Sequence, residues 1–473
     1  MQEIPLSIFK GQHGDAKVDY RDSLPVNMYH VSMPVKGSAG YLRSQWGLSK
    51  LGESNGIDQG GIWSTVFKEH FRVAGGELIK VSSAGDVTVL GQIDYTGQCT
   101  LNQTERNIAI TTNAGCWLYN DSDGLRKIGD VDLGAVFDTV YINQRLIHTD
   151  GEYIIVSDPG EDEVYNALKY GTAEIDPDGI VGLASISNRL LAIGERTVEW
   201  FADQPQDGDT FPYVRIESQL IESGCSGTHA KVMMNDSKGF KTLYMLGGGK
   251  NDPVAVRSIG AGNAPKVSTK EIDTILQQYT GDQLAGAIME NRTTEANNFV
   301  IVHLPSHTLA LDVTASSQVG ELAWTIQESA TGGATRWVNG VFDPRLPAFV
   351  YGDKTNGFIG KLEKEINTQY GEVVSEQFQT PILPLAGRTV ASLKLELLPG
   401  RNEPGTTPVL FLSSTTNGLI YSDEYLVSRG EQGMYEHNIE VRVNDYMRRP
   451  VSYRFRSESA QPLNASSLTA EVL

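Results

Sequence analysis

Cysteine is scarce in this chain of 473 residues, whose 3 thiols are Cys99, Cys116 and Cys225. An odd number without C-x-x-C spacing excludes a disulfide framework and a structural zinc site, and three buried small hydrophobes are expected instead. Basic charge is also short: Lys+Arg 39 stand against Asp+Glu 58, a formal net charge of -19. A surface this negative repels phosphate, which argues against a conventional DNA-gripping protein while leaving room for one local basic patch. No apolar run approaches the ~20 residues of a membrane helix. The stretch Met1 to Gly11 carries Glu3 and Pro5 where a secretion signal has basic residues followed by an apolar segment. A protein made and kept in a cytoplasm, without membrane insertion, is the expectation.

Disorder and collagen are excluded by what remains. Hydrophobic residues make up 40% and charged residues 21%, aromatic and β-branched residues are plentiful, and the 49 glycines have no three-residue period. The length suggests two to four domains, or one large β domain with an appendage.

What the chain does have is strand after strand. Phe71-Arg72-Val73, a Gly75-Gly76 turn, Leu78-Ile79-Lys80-Val81, an Ala84-Gly85-Asp86 turn and Val87-Thr88-Val89-Leu90 read as a meander of hairpins. The phrase returns in Asn107 to Ile128 around Gly115 and Gly124, and again in Arg145 to Val156 around Gly151. Weaker copies lie near Arg189 to Phe201, Thr242 to Gly249, Phe299 to Val313 and Ala348 to Leu362. The spacing is near the roughly 40–50 residues of a four-stranded propeller blade, and six or seven such units fit between about 56 and 367. Each unit has a face that only a neighbour can bury, so the array closes into a ring. A connector helix is expected at Lys270 to Tyr279, capped by Thr269 and burying Ile272, Ile275 and Leu276. After Tyr370 the strands lengthen and alternate, as in Ser392 to Leu397, Val409 to Ser413, Ile439 to Val443 and Tyr453 to Arg456, which fits a small β-sandwich. The fold class is therefore all-β: an arm at 1–55 lying on or beside the propeller, a β-propeller at 56–370 and a β-sandwich at 371–473.

Catalytic and ligand motifs fare poorly. His303 and His307 are four apart, but Pro305 between strand sequences makes a hairpin rather than a zinc-bearing helix. Gly247-Gly248-Gly249-Lys250 lacks the spacing of a phosphate loop, and Asn120 to Gly124 reads as a hairpin tip rather than a calcium loop. Ser414 to Tyr421 resembles a degenerate sialidase Asp-box hairpin, with Thr416 in place of the aspartate. No G-x-S-x-G or H-E-x-x-H is present, so no catalytic residue, cofactor or metal is expected. Asp150 to Asp178 holds nine acids against Lys169, net -8, and reads as a solvated rim. Arg442, Arg448, Arg449, Arg454 and Arg456 concentrate positive charge near the end of an acidic chain and form a candidate docking patch for an acidic neighbour.

The first fifty residues read differently from a blade. Asp22, Leu24, Pro25, Val26, Asn27 and Met28, followed by Gly40, Tyr41, Leu42 and Arg43, stand in a text (Tyr20-Arg21-Asp22-Ser23-Leu24-Pro25-Val26-Asn27-Met28) that resembles the opening of the packaged-DNA stabilisation proteins. These are the tail hub or nozzle subunits of short-tailed bacteriophages. Ala287 to Glu290, Val302 to Pro305, Tyr351 to Lys354, Gln369-Tyr370 and Leu410 to Gly418 look like that family in the same order, so the resemblance spans nearly the whole chain. It implies a non-enzymatic virion protein of the tail, assembled in the bacterial host cytoplasm as a homohexamer below the portal and its adaptor ring. Such a protein extends and helps close the DNA channel with a tail needle or plug, serves genome retention and ejection, carries tailspikes or fibres, and lets packaged DNA pass without specific binding. The quoted N-terminal residues are then candidate assembly contacts. A rival reading is a carbohydrate-binding or sialidase-like propeller, motivated by the Asp-box-like hairpin and by six tryptophans able to stack on sugars.

Overall fold

The computed structural model describes the chain except residues 1, 7, 9–23, 34, 36–37, 39, 174, 177, 205–209, 236–238, 261, 296, 398–404, 419, 432 and 435–437. Among the described residues, seven antiparallel sheets follow one another along the chain at 58–92, 100–127, 138–172, 180–215, 231–259, 288–327 and 337–363. They are the blades of a seven-bladed propeller, numbered 1 to 7 here. Blade 5 has three strands and the others four, with the sheet of blade 7 extended by the short strands Thr368–Gln369 and Glu372–Val373. The hairpin glycines sit where the turn needs a left-handed backbone, as at Gly75 and Gly76 (φ +59° and +79°).

Blade 7 contributes three consecutive strands, and its fourth strand comes from the other end of the chain. Here β1 is Gln2–Leu6, β2 Met28–Val31, β3 Tyr41–Ser44 and β4 Gly47–Glu53. β4 pairs antiparallel with Phe358–Glu363, from Glu53 opposite Phe358 to Gly47 opposite Glu363. The ring is thus fastened by hydrogen bonds between residues more than 300 positions apart, rather than by a covalent bond. Its close passage over blade 1 requires Gly85, where φ is +92° and a Cβ would lie 1.8 Å from the Leu51 carbonyl oxygen.

The remaining strands form a two-sheet sandwich. One sheet runs from β2 and β3 through Asn464–Val472 and Thr389–Leu397 to Asn438–Tyr446, with β1 also paired to Asn464–Val472. The other is Ser375–Gln379, Ser452–Glu458, Val409–Thr415 and Tyr425–Ser428. Its core is apolar, with Phe378 and Phe455 stacked at 5.0 Å among Leu393, Leu395, Leu410, Leu412 and Leu468. The segment 1–55 therefore divides its described strands between the sandwich (β1, β2, β3) and blade 7 (β4).

Lys270–Leu276 forms helix α1, burying Ile272, Ile275 and Leu276. It ends three residues before the expected Tyr279, because Thr280 starts a second short helix, α2 (Gly281–Ala285), with a capping box to Gln283. Cys99, Cys116 and Cys225 are buried free thiols, the first two pushed up to about 12 by burial.

Candidate functional site

The N-terminal motif is a clasp between the two domains. Proline at position 25 keeps Leu24 and Val26 extended, and Val26 then bridges two strands at once. Its N–H donates to Gln377 O (2.8 Å) and its carbonyl accepts from Gln377 N (3.0 Å), while Pro25 O accepts from Ile326 N (2.9 Å) in blade 6. Asn27 follows at φ +52°, a conformation asparagine tolerates better than most residues. Every polar group of this buried residue is used. Its N–H donates to Ile326 O (2.9 Å) and its carbonyl accepts from Gln45 N (2.7 Å). Its side chain donates to Ser375 O (2.8 Å) and accepts from Glu328 N (2.9 Å).

Alternation along β2 and β3 then feeds two cores. Met28 and Leu42 enter the sandwich, whereas Tyr29 meets Phe299 edge-on at 5.2 Å and Tyr41 packs beside it on blades 6 and 7. Gly40 lets the chain pass His30, whose Nε2 would be 2.5 Å from a Cβ. Arg43 reaches Lys364 O (3.5 Å) and lies over Trp46. Leu24 to Met28 and Gly40 to Arg43 are thus engaged within their own chain, while Asp22 lies outside the described residues.

Around the ring, neighbouring blades are tied by polar bonds close to the axis. Asn339 Nδ2 donates to Asp58 (2.8 Å) between blades 7 and 1, and Cys99 N to Gln59 O (2.7 Å) between 1 and 2. Asp138 of blade 3 accepts from Thr100 of blade 2 (2.9 Å), Leu183 N of blade 4 (2.7 Å) and Lys231 of blade 5 (2.8 Å). Thr228 donates to Val181 O (2.9 Å), Asn291 to Met233 O (2.7 Å) and Gly340 N to Glu290 (2.8 Å), which completes the circuit through blades 5, 6 and 7. The seam between first and last blades is the most heavily tied. Arg72, 0% exposed, pairs with Asp58 at 2.7 Å and donates to Asn339 O and Val350 O. Arg345 spans the same seam between Asp343 and Glu69, with His70 Nδ1 at 3.4 Å from Asp343.

These side chains narrow the propeller axis to a cavity of about 370 Å³ lined by Gln98, Asp138, His229, Lys231, Met289 and Asn339 among others. Such a space admits waters or a small solute, not a nucleic-acid duplex. Four imidazoles, His70, His148, His229 and His303, are held down to between about 3 and about 4 by burial. His303 faces Glu290 (3.0 Å) on one nitrogen and Lys354 (3.2 Å) on the other, so it is a core residue of blade 6, and His307 meets the Tyr279 hydroxyl in the turn. Among the described residues, no cluster of three potential metal-ligating side chains is present.

The five C-terminal arginines do not form one patch. Arg454 and Arg456 share the outer face of one sandwich sheet, where Glu424 pairs with both and Glu458 with Arg456. They also cover Tyr421 and Phe411. Arg442 belongs to the other sheet, and Arg448 and Arg449 to the turn after it. Strand alternation, which fixes the outward face separately on each sheet, is the reason. The tryptophans offer little to a sugar, since Trp117, Trp200, Trp324 and Trp337 are buried, while Trp46 and Trp63 are covered by Arg43 and Arg345.

Sequence reading missed the Arg72–Asp58–Asn339 seam and the axial Asp138–Lys231 pair. The available signal was Arg72 itself, a charge in the middle of the strand His70-Phe71-Arg72-Val73, a pattern that requires a buried partner.

A propeller sewn to a sandwich made from both ends of the chain, with buried polar groups spent on holding blades together, defines a rigid scaffold protein. The chain belongs to the bacteriophage P22 Gp10 family: models described as "Bacteriophage P22 Gp10, beta-propeller" and "Bacteriophage P22 Gp10, beta-sandwich" match residues 2–367 and 375–473. The "Tail hub protein gp10" of Salmonella phage P22 is 26% identical over 482 residues, covering 98% of each chain. It is a structural phage tail hub protein, with a place in the virion tail and partners in tail assembly. Among solved structures, the N-terminal domain of Nup159 (9% identity, 67% of this chain, 95% of that chain, TM-score 0.38) and the C-terminal WD40 domain of Sif2 (10%, 67%, 99%, TM-score 0.36) match too weakly to carry an argument.

Proposed function

We propose that six copies of this chain form a ring below the portal and its adaptor ring, extend the DNA channel and retain the packaged genome until ejection. A tail needle or plug closes the channel, tailspikes or fibres dock on the outside, and assembly takes place in the bacterial host cytoplasm. The observation that carries this reading is the clasp at Pro25 to Met28, which makes propeller and sandwich one rigid lever suited to a closed, heterologous ring. The DNA path runs between subunits, because each propeller axis is too narrow for a duplex. The chain contributes position and charge rather than catalysis, and the net charge of -19 lets DNA slide along the channel without being trapped by phosphate contacts.

Capsids assembled without the chain are expected to package DNA and then lose it to added nuclease, while capsids completed with it keep their DNA protected. Equal retention in both would contradict the proposal. A ring whose channel wall proved basic would contradict its electrostatic part.

A further inference from the structure

The molecule has two chemically opposite ends. The sandwich joins the propeller at blades 6 and 7, through Val26, Asn27 and β4. In a ring of seven, blade 3 lies across the axis from that junction. On the rim of blade 3 the described residues Val131, Val164 and Leu168 are 92%, 56% and 68% exposed. Tyr165 N donates to Asp130 (3.0 Å), which brings the 130–132 and 164–168 segments together. The Tyr170 hydroxyl feels these acids, its pKa raised first by burial and then by Asp132, Asp150 and Asp130. Glu161 adds to them; Glu163 is paired with Arg126, and Lys169 with Asp158. The rim is apolar at its centre and acidic around it.

The other end is the tip of the sandwich farthest from the propeller. Ser375 and Glu458 lie opposite each other at the propeller end, so the turn from Met447 to Val451 is at the far end. There Tyr446 is 62% exposed, and Arg442, Arg448, Arg449 and Arg388 face solvent. Arg388 is held to this turn by the bond from Met447 N to its carbonyl (2.9 Å). Asp445 and, two residues from Arg442 on the same strand face, Glu440 are acids beside them. No ion pair engages Arg442, Arg448 or Arg449 among the described residues.

We infer that the arginine-bearing tip of one copy, with Tyr446 at its centre, docks on the acidic, apolar rim of blade 3 in the next copy. Opposite charge at the two ends of one elongated subunit favours head-to-tail contact and disfavours tip-to-tip and rim-to-rim pairs, as like charges brought together cost several kcal/mol. A heterologous contact between two different patches generates a ring when its rotation closes. The inference rests on the ring proposed above and specifies its interface.

Cysteine trapping tests it in the full chain, since the three native thiols are buried. V131C/R449C subunits, mixed with the adaptor ring and oxidised, are expected to give a ladder of covalent multimers ending at the ring, with each single variant giving no ladder. The second arm is R448E/R449E, expected to weaken ring formation at least about tenfold, with recovery when the same chain also carries D132K and E161K. Rings seen by electron microscopy without a ladder, and insensitive to the charge reversal, would overturn this interface and leave the ring standing. No ring under any condition would overturn both.

Discussion

Propeller and sandwich are both antiparallel β structure, yet they bury different chemistry. The propeller hides Arg72, Asp138, Glu199, Glu290, Arg292, Asp312, Asp343 and Asp353 together with His70, His148 and His303. Among the described sandwich residues the buried charges are Glu376 and Arg429. Two sheets packed face to face can fill their shared space with Leu and Phe and need no polar group there. Seven blades converging on an axis leave a central wall that cannot be filled the same way, and each inner strand must find its neighbour in register. The polar bonds from Asp58 around to Asn339 supply that registration. Buried ion pairs are weak evidence of net stability but are costly to break on one side.

The largest effect is therefore expected at the seam. Arg72→Met leaves Asp58 buried without its cation and should cost about 3–5 kcal/mol in the urea-measured stability of the propeller. Asp58→Asn combined with Arg72→Met should recover a large part of that loss, and additive losses would deny the coupling. Next is β4: Gly85→Ala puts a Cβ against the Leu51 carbonyl at a positive φ and should cost about 1–3 kcal/mol while sparing the sandwich core. Asn27→Ala removes two side-chain hydrogen bonds and a favoured left-handed residue, and about 2 kcal/mol is expected. Its signature is calorimetric: one unfolding transition in the parent, two in the variant. A single transition in both would mean the domains are joined mainly by other contacts.

The two domains should also respond to pH in opposite directions. The four imidazoles have folded values near 3 to 4, below the ordinary 6.5, so their stabilisation is full above about 6.5 and is lost as pH falls toward 4. Asp312, raised to about 7 by burial, opposes this trend within the propeller, as does Asp58, whose carboxyl burial also raises. Burial raises the Glu376 carboxyl to about 8, against the opposing pull of Arg429, Ser44, Leu463 and Asn367. Its contribution is full below about 4.5 and is lost as pH rises through 8. Glu376→Gln should flatten the alkaline limb of sandwich unfolding, followed by Phe378 or Phe455 packing signals, and leave the acid limb of the propeller unchanged. The smallest effect is at the tip: R448E/R449E should move stability by less than about 0.5 kcal/mol, because no ion pair is lost.

Much of this fold was legible in the sequence because blades are local. The hairpins around Gly76, Gly115 and Gly151 declare themselves within forty residues, and the change of texture after Tyr370 marks the sandwich. What was illegible depends on distance or on facing. β4 reads as part of an arm because its partner, Phe358–Glu363, is over 300 residues away and nothing in Gly47–Glu53 names it. The blade number becomes certain only once β4 completes blade 7. The five arginines look like one patch because they are close in sequence, yet alternation places Arg454 and Arg456 against Glu424 and leaves Arg442 on the other sheet. Leu24 to Met28 stood out as text, but its work as a clasp needs both Ile326 and Gln377 in view.

The ring proposed for this rigid two-domain tail hub subunit can be looked for directly. Mass measurement and negative-stain imaging of the purified chain, alone and mixed with portal and adaptor proteins, test it most directly. Rings near six times 51.6 kDa that dock on the adaptor are expected. A persistently inert monomer, with the adaptor present, would contradict it.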